Sequence, residues 1–257
     1  MAKASEDGRG RTVRSVGIAF EILDVLQERG KSNVTELDGA LDYSRSTIHS
    51  HLQTLEKQRM VVREGYDYRL SLRILDMARG VRDHVGNYDV IRDEVDALAA
   101  ESGETAQFGI EEHGQVSYLY KTSGENGIKS ASEIGTKQPI HSTALGKSIL
   151  AYLPDDRVEE IVYSCEYERR TPNTISGPGE LLEELDRTRE QGYGLDDEEN
   201  VEGIRCIAAP VKSDGQVLGA VSLTGPSVRF TTDRIHGELS DLVQYTANIV
   251  EINTKFS

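Results

Sequence analysis

The segment from Ser44 to Gln58 carries small and hydrogen-bonding side chains near its N-terminal end, a combination suited to contact with DNA bases. Its apolar residues Ile48, Leu52 and Leu55 recur at helical spacing, so one face is expected to lie against a core. A helix that enters the major groove needs small residues for close approach and polar groups for base edges. The alternative is a solvated polar helix face. The DNA-contacting residues predicted on this helix are Ser44, Arg45, Ser46, Thr47, His49 and Ser50.

A β-hairpin is predicted directly after this helix, with strands at 60–63 and 68–71 around a turn at 64–67. Two helices are predicted before it, one from Ser15 to Glu28 and a short one capped by Thr35. Three short helices followed by a hairpin is the order of a winged helix-turn-helix. In such a domain the hairpin lies along the DNA backbone, and the predicted contacts are Arg63, Tyr66 and Arg69.

Several sequences that could indicate catalysis or metal binding are explained better without either. The run Gly146-Lys147-Ser148 is similar to part of a phosphate-binding loop, but His141 stands where that motif needs its first glycine. Cys206 lies in an apolar strand, where a buried and inert thiol is usual. The acidic run at 196–199 is expected to be a solvated loop. We therefore predict no enzyme activity, no metal and no cofactor.

Charge divides the chain into two parts. The net charge is −15, which averaged over the chain argues against DNA binding, yet residues 1–80 sum to +1 and residues 81–257 to −16. Arginine outnumbers lysine 20 to 9. This acidic, lysine-poor composition fits a cytoplasm with very high salt, as in a halophilic archaeon. An ordinary acidic protein fits equally well.

The pattern of elements predicts four segments. Residues 1–12 form a flexible tail, 13–71 the DNA-binding domain, 72–102 two linker helices and 103–257 a ligand-binding domain. In the last segment, strands are predicted at 105–110, 116–121, 128–133, 204–211 and 216–223. Helices are predicted at 141–153, 157–163, 180–191 and 233–253. Apolar runs are too short for a membrane helix and no signal peptide is evident, so a cytoplasmic location is expected.

These features together resemble the IclR family of transcription regulators, over residues 13–250. In the N-terminal part the resemblance rests on RSVGIAFEILDVL, VTELDGALDYSRSTIHSHLQTLEKQRMVVRE and YRLSLRILDMA. In the C-terminal part it rests on GTKQPIHSTALGKSILAYLP, GYGLDDEENVEGIRCIAAPV and GAVSLTGP. The resemblance implies an α+β fold with an N-terminal winged helix-turn-helix, linker helices and a C-terminal GAF-like α+β domain that has an antiparallel sheet.

The resemblance also implies partners and a ligand site. The partners are double-stranded promoter or operator DNA, a small-molecule effector and a second copy of the chain, with a homotetramer as the alternative assembly. In carboxylate-binding members the ligand meets a helix, an acidic loop residue, a strand cysteine and two strand hydroxyls. The positions that correspond here are Ala144, Leu145, Asp196, Cys206, Ser222 and Thr224. Ser222 and Thr224 alternate along one strand, so both point to one face.

Two functions from different classes follow. The first is a ligand-responsive DNA-binding regulator of metabolic genes, whose effector is a small carboxylate, a sugar acid or an aromatic metabolite. The second is a metabolite-binding protein or enzyme whose N-terminal domain mediates only protein contacts. The nearly neutral charge of residues 1–80 keeps the second open.

Overall fold

The computed structural model describes residues 12–85, 87–128 and 133–255. The chain divides into two compact units, with the boundary between His84 and Val85. The predicted linker segment 72–102 spans this boundary, and its role as a linker stays a prediction. The predicted tail lies outside the described residues, except for Thr12. No helix in the described ranges is long and apolar enough to cross a membrane.

The first unit is a helix-turn-helix followed by a hairpin, as predicted. Its helices are α1 (Arg14–Arg29), α2 (Val34–Ala40), α3 (Arg45–Lys57) and α4 (Arg73–Val85), the last reaching one residue past the boundary. Its strands are β1 (Ser32–Asn33), β2 (Val61–Glu64) and β3 (Asp67–Leu70), in the order β1-β3-β2. Strand β1 was not predicted, because a strand of two residues is too short to show an alternating pattern.

Two predicted helix caps are wrong. Asn33, not Thr35, caps α2, in a capping box in which its side chain accepts from the Thr35 and Glu36 amides. The Glu36 carboxylate in turn accepts from the Asn33 amide at 3.0 Å. Helix α1 begins at Arg14 after Val13, without a side-chain cap, so Ser15 lies inside the helix.

The buried face of α1 differs from the predicted one. Helical spacing predicts an apolar face of Val16, Phe20, Leu23 and Leu26, widened by Ala19 and Ile22, but Val16 and Phe20 are 52% and 61% exposed. Ile22 and Leu26 of the predicted face are buried, and Ile18, which was not predicted, completes the buried row at a spacing of four residues. Both sets have helical spacing, so only the packing against α2, α3 and the hairpin distinguishes them.

The second unit is an α+β domain around one antiparallel sheet. Its strands are β4 (Thr105–Glu112), β5 (Gln115–Ser123), β6 (Lys137–Pro139), β7 (Gly194–Asp197), β8 (Ile204–Ser213) and β9 (Gln216–Pro226). Its helices are α5 (Tyr88–Ser102), α6 (Ala144–Leu150), α7 (Asp155–Ser164), α8 (Pro178–Gln191), α9 (Thr232–Arg234) and α10 (Ser240–Lys255), with a π-helical turn (Ile235–Leu239) between the last two.

The sheet has the order β6-β5-β4-β9-β8-β7 and a core on each face. Alternate residues of the central strands, such as Phe108, Ile207 and Leu223, pack with α5 and α10. The intervening residues, such as Ala208 and Ala220, face α6, α7 and α8. The second face of the sheet therefore forms its own core with these three helices.

One predicted element of this unit needs correction, and another lies mostly outside the described residues. The helix predicted from His141 begins at Ala144 and is capped by the Thr143 hydroxyl. No strand includes Ile128 or Glu133, and residues 129–132 lie outside the described part of the chain. The sheet is instead extended by β6, at 137–139.

The closing helix has the predicted position but a different buried face. Helical spacing predicts one apolar face of Ile235, Leu239, Leu242 and Ile249. Ile235 and Leu239 are buried, but further along Val243 and Val250 are buried, while Leu242 and Ile249 are only half-buried. The π-helical turn inserts one extra residue, which rotates everything after it by about 100°. Sequence periodicity gives no sign of such a turn.

Candidate functional sites

The polar end of α3 is exposed, as the sequence predicts. Ser44 caps the helix by accepting from the Thr47 amide at 3.2 Å. Ser46, His49 and Ser50 are exposed, and Thr47 is half-buried. The other face holds Ile48, Leu52 and Leu55 against the core of the unit. The helix therefore presents short polar groups on a surface whose backbone is fixed from behind.

Arg45 has a partner that the sequence did not suggest. Its Nε lies 2.9 Å from Asp38 Oδ2 of α2, while the side chain remains 63% exposed. An exposed pair of this kind contributes little to stability. The pair does fix the direction of the Arg45 guanidinium, and the Asp38 carboxylate offsets part of its positive charge.

The hairpin places its three predicted DNA-contacting residues in different surroundings. Tyr66 is 86% exposed at the turn. Arg63 is exposed, and its guanidinium lies 5.8 Å from the centre of the Tyr68 ring. Arg69 is half-buried and pairs with Glu64 at 2.7 Å, so its charge is used within the hairpin.

One groove connects the helix and the hairpin. It has a volume of about 570 Å³ and is lined by His49 of α3, by Arg63, Tyr66 and Tyr68 of the hairpin, and by the start of α2. Of the predicted DNA-contacting residues, His49, Arg63 and Tyr66 therefore share a surface. Ser44 and Arg45 lie outside the lining of this groove, at the beginning of α3.

The second unit contains a cavity of about 650 Å³ on the sheet face that carries α6. All six positions that the resemblance assigned to a ligand site line it. They are Ala144, Leu145, Asp196, Cys206, Ser222 and Thr224. Other lining residues, which the sequence analysis did not identify, include Gln107, Gln138, Arg170 and Asn200.

Strand register explains why these side chains meet. Asp196 of β7 lies opposite Cys206 of β8, and Cys206 lies opposite Thr224 of β9. Ser222, two residues before Thr224, lies opposite Gln107 of β4. Residues directly opposite in an antiparallel sheet share a face. Asp196 thus belongs to a strand, and the prediction that it lies in an acidic loop is wrong.

A directed chain of hydrogen bonds crosses the cavity wall. Gln107 Nε2 donates to Thr224 Oγ1 at 3.2 Å, and that hydroxyl donates to Cys206 Sγ at 3.3 Å. The thiol interacts with the Asp196 carboxyl. Burial and the neighbouring Asp196 carboxyl hold the pKa of the Cys206 thiol well above its usual value. A protonated thiol is a weak nucleophile, which fits the predicted inert role.

Ser222 differs from its neighbours because its hydroxyl is unsatisfied. Ser222 is 1% exposed, and its Oγ has no hydrogen-bond partner in the part of the chain that the structure describes. A buried polar atom without a partner is costly, and native proteins have few of them. A ligand in the cavity would supply the missing partner.

A buried ion cluster supports the floor of the cavity. Lys147 of α6 is fully buried and pairs with Glu199 at 2.5 Å and with Glu184 at 3.3 Å. The Asp196 carboxylate accepts from the amides of Glu199 and Asn200. Burial raises the pKa of Asp196 to about 6 and that of Glu199 to about 7, against the opposing charge of Lys147.

This cluster also gives Lys147 a structural role. The lysine lies inside α6, as the rejection of a phosphate-binding loop requires, and its charge is offset by carboxylates. His141 contacts Cys165 at 3.4 Å, and not Cys206. Among the described residues, no three histidine, cysteine, aspartate or glutamate side chains are grouped as metal ligands.

The sequence holds only weak signals for the cavity residues that were not predicted. Gln107 lies opposite Ser222, so correct pairing of β4 with β9 would have indicated it. Arg170 and Asn200 lie in connecting segments. Their contact with each other, at 2.8 Å, depends on how these segments fold over the sheet.

Comparison with known proteins gives consistent results along the chain. Residues 15–65 match the IclR helix-turn-helix domain, and residues 84–251 match the bacterial transcriptional regulator IclR C-terminal domain. The chain is 34% identical over 255 residues to the probable HTH-type transcriptional regulator ArcR of Halobacterium salinarum, with 97% of each protein covered. It is 36% identical over 253 residues to the HTH-type transcriptional regulator KdgR of Dickeya chrysanthemi, with 97% of this chain and 83% of that protein covered.

A solved structure agrees with the architecture. The crystal structure of the Thermotoga maritima IclR superposes with a TM-score of 0.80 at 30% identity, covering 94% of this chain and 98% of that one. The fold is therefore the predicted one, an N-terminal helix-turn-helix domain and a C-terminal α+β domain. The similarity to a Halobacterium protein also agrees with the high-salt interpretation of the acidic composition.

Proposed function

The chain belongs to the IclR family of DNA-binding transcription regulators, and from this premise we propose how it acts. Helix α3 contacts base edges in the major groove, the β2–β3 hairpin contacts the DNA backbone, and the cavity of the second unit binds a small-molecule effector. The four segments 1–12, 13–71, 72–102 and 103–257 act as tail, DNA-binding domain, linker and effector domain.

The DNA-binding proposal is supported by the exposed polar end of α3. Ser46, His49 and Ser50 combine small size with donors and acceptors, as base contact in the major groove requires. Arg63 and Tyr66 share the groove of His49, and they are placed for positioning contacts with phosphates. Because residues 1–80 have a net charge of only +1, base contacts and DNA shape should carry more of the affinity than bulk charge.

The effector proposal is carried by one observation, the unsatisfied Ser222 hydroxyl in a cavity of about 650 Å³. Such a volume is in the range of small-molecule sites. The effector is a small carboxylate, a sugar acid or an aromatic metabolite. Its binding shifts the population of conformers that differ in the spacing of two DNA-binding domains. A coupling of about 1–3 kcal/mol is enough to alter promoter occupancy.

Two copies of the chain are proposed to act together on two half-sites. Helix α4 has no buried residue, and its apolar side chains Met77 and Val81, which lie one turn apart, are 54% and 56% exposed. Exposed apolar surface of this kind indicates contact with another molecule. Contact between two copies of the chain in a homodimer would cover this surface, and a homotetramer is the alternative assembly.

A gel-shift experiment on the DNA upstream of the gene tests the DNA-binding proposal. His49→Ala should weaken binding by about 1–3 kcal/mol if the histidine contacts a base, and Arg45→Ala should also weaken it. Lys57→Ala is the matched control, because Lys57 lies in the last turn of α3, roughly 12 Å or more along the axis from His49.

The outcomes separate the two functions. Failure of the wild type to bind at any salt concentration favours a metabolite-binding protein or enzyme whose first domain contacts only proteins. Equal binding by the wild type, both variants and the control would show that α3 is the wrong helix. The relatives compared above are named transcription regulators, which favours the DNA-binding function.

A further inference from the structure

The effector cavity has chemically different ends. Arg170 and Asp196 are the two lining residues, among those described, that carry charged side chains. The Arg170 side chain is 35% exposed, whereas Asp196 is 2% exposed. A ligand in the cavity therefore meets a cation on the more exposed part of the wall, here called the exposed end, and a carboxyl group on the buried part, here called the buried end. Asn200 contacts both residues.

The Arg170 guanidinium is oriented mainly by hydrogen bonds to uncharged groups. Its Nη1 donates to Asn200 Oδ1 at 2.8 Å and to Gln138 Oε1 at 3.4 Å, and both partners also line the cavity. One carboxylate lies near the guanidinium: Glu168 Oε2 is 3.6 Å from Arg170 Nε, and the Glu168 side chain is 71% exposed. A long, exposed pair of this kind contributes little.

Other arginines of the same unit differ from Arg170. Arg205 lies 2.5 Å from Asp197, and Arg229 lies 2.6 Å from the buried carboxylate of Glu104. Their charges are used within the fold. The Arg170 guanidinium is instead directed by two amide oxygens and keeps its charge available to an anion.

The buried end of the cavity favours hydroxyl groups. Among the described residues Ser222 Oγ has no partner, and the Asp196 carboxyl can accept a hydrogen bond from a ligand hydroxyl. A ligand carboxylate at the same end would meet the like charge of ionised Asp196, which is unfavourable in a buried site. The arrangement thus separates an anion-binding end from a hydroxyl-binding end.

We propose that Arg170 binds the carboxylate of the effector while Asp196 and Ser222 bind its hydroxyl groups, so that the effector is a hydroxylated organic acid of the aldonic or uronic type. This inference rests on the proposed role of the cavity as the effector site. It adds the class of the ligand, its orientation and a specificity-determining residue.

Calorimetric titration of the full chain tests the ligand class. The probes are D-gluconate and D-galacturonate, with sorbitol as a hydroxylated ligand that lacks the carboxylate and hexanoate as a carboxylate that lacks hydroxyls. At least one of the two sugar acids should bind, and sorbitol and hexanoate should bind at least roughly tenfold more weakly, since each lacks one set of charge-assisted or buried hydrogen bonds.

Variants test the residue. Arg170→Gln should raise the Kd of the sugar acid roughly tenfold or more, and should leave the weak binding of sorbitol unchanged. Arg170→Lys should recover part of the loss, because it restores the charge without the planar guanidinium. Arg169→Gln is the matched control: Arg169 donates to the Thr171 and Pro172 carbonyls of the same turn, and it does not line the cavity.

Three results would overturn the inference. These are an unchanged Kd in Arg170→Gln, an equal loss in Arg169→Gln, and failure of both sugar acids to bind the wild type. The proposed function fails separately, when the chain binds no upstream DNA. If 4-hydroxybenzoate or hexanoate binds instead, and Ser222→Ala weakens that binding, the cavity remains the effector site and only the ligand class proposed here is wrong.

Discussion

Two buried serines of the second unit show how residues of one type take different roles. Ser148 Oγ donates to the Ala208 carbonyl at 2.7 Å and accepts from the Gly194 amide at 2.9 Å, so it ties α6 to β7 and β8. Ser222 Oγ has neither kind of bond among the described residues. The first hydroxyl stabilises the fold, whereas the second is the one we propose to bind the effector.

Substitution of the two serines should therefore have opposite consequences for stability. Ser148→Ala should lower the free energy of unfolding by about 1–3 kcal/mol, because it leaves a buried amide and a buried carbonyl short of a partner. Ser222→Ala should leave it unchanged or raise it by up to about 1 kcal/mol. Urea denaturation of the two variants checks this, and equal losses would contradict the assignment of Ser222 to ligand binding.

The ion cluster beneath the cavity makes stability depend on pH. One buried lysine, Lys147, faces the carboxyls of Glu184, Glu199 and Asp196, and Glu199 Oε2 has no hydrogen-bond partner among the described residues. Burial raises the pKa of Glu199 from its usual value to about 7. The folded chain thus holds this proton more tightly than the unfolded chain, and its contribution to stability is lost as pH rises from about 4.5 to about 7.

Glu199→Gln isolates this contribution. The difference in unfolding free energy between wild type and variant should shift by about 1–2 kcal/mol in favour of the variant between pH 5.5 and pH 7.5. Comparison with the wild type cancels the effect of other groups, such as His141, whose pKa is lowered by burial. A difference that stays constant over this range would mean that Glu199 is already ionised throughout it, which would contradict the raised pKa.

At the scale of elements, the cavity depends on how closely α6 approaches the sheet and its neighbouring segments. A Cβ at Gly146 would collide with the Ile140 carbonyl, and a Cβ at Gly194 would collide with the Ala144 carbonyl and the Ser148 hydroxyl. Both glycines are therefore required by close approach. They keep Ala144 and Leu145, at the start of α6, within the cavity wall.

Two glycine-to-alanine changes inside helices of the same unit test this close approach. Gly146→Ala should destabilise the chain by about 1–3 kcal/mol, since backbone atoms must shift. Gly179→Ala, in α8, meets nothing within 4 Å and should stabilise by up to about 1 kcal/mol through helix propensity. Thermal unfolding of the two variants distinguishes them, and equal melting temperatures would refute the tight packing of α6.

At the scale of the whole molecule, exposed apolar residues and charge are unevenly distributed. Most of the net charge of −15 belongs to residues 81–257, whereas the apolar face of α4 lies within the first unit. Met77 and Val81 lie one turn apart on this helix, and both are more than half exposed. This face is the proposed contact between two copies of the chain.

A double substitution, Met77→Glu and Val81→Glu, should dissociate the dimer and weaken DNA binding at both half-sites, because the new charges would be buried at the interface. Arg79→Glu is the control, since Arg79 is an exposed residue on the opposite side of α4. Analytical ultracentrifugation of the full chain measures the assembly. A dimer that persists in the double variant would place the contact elsewhere.

The sequence by itself determined the order of most helices and strands, though not β1, β6 or β7, and it indicated two candidate sites. Helical spacing in α3, the hairpin turn at Gly65 and the alternation of Ser222 with Thr224 are local properties of the chain. For the same reason the exposed end of α3 was predicted correctly. The resemblance supplied Ala144, Leu145, Asp196 and Cys206 as further positions of the ligand site.

Only the tertiary structure decided which faces are buried and what completes the cavity. The core side of α1 depends on its neighbours, and the π-helical turn shifts the buried face of α10. Arg170, Gln107 and the Lys147 cluster reach the cavity through contacts between segments that are far apart in the chain. Local spacing cannot specify such contacts, because they follow from strand register and from the path of loops over the sheet.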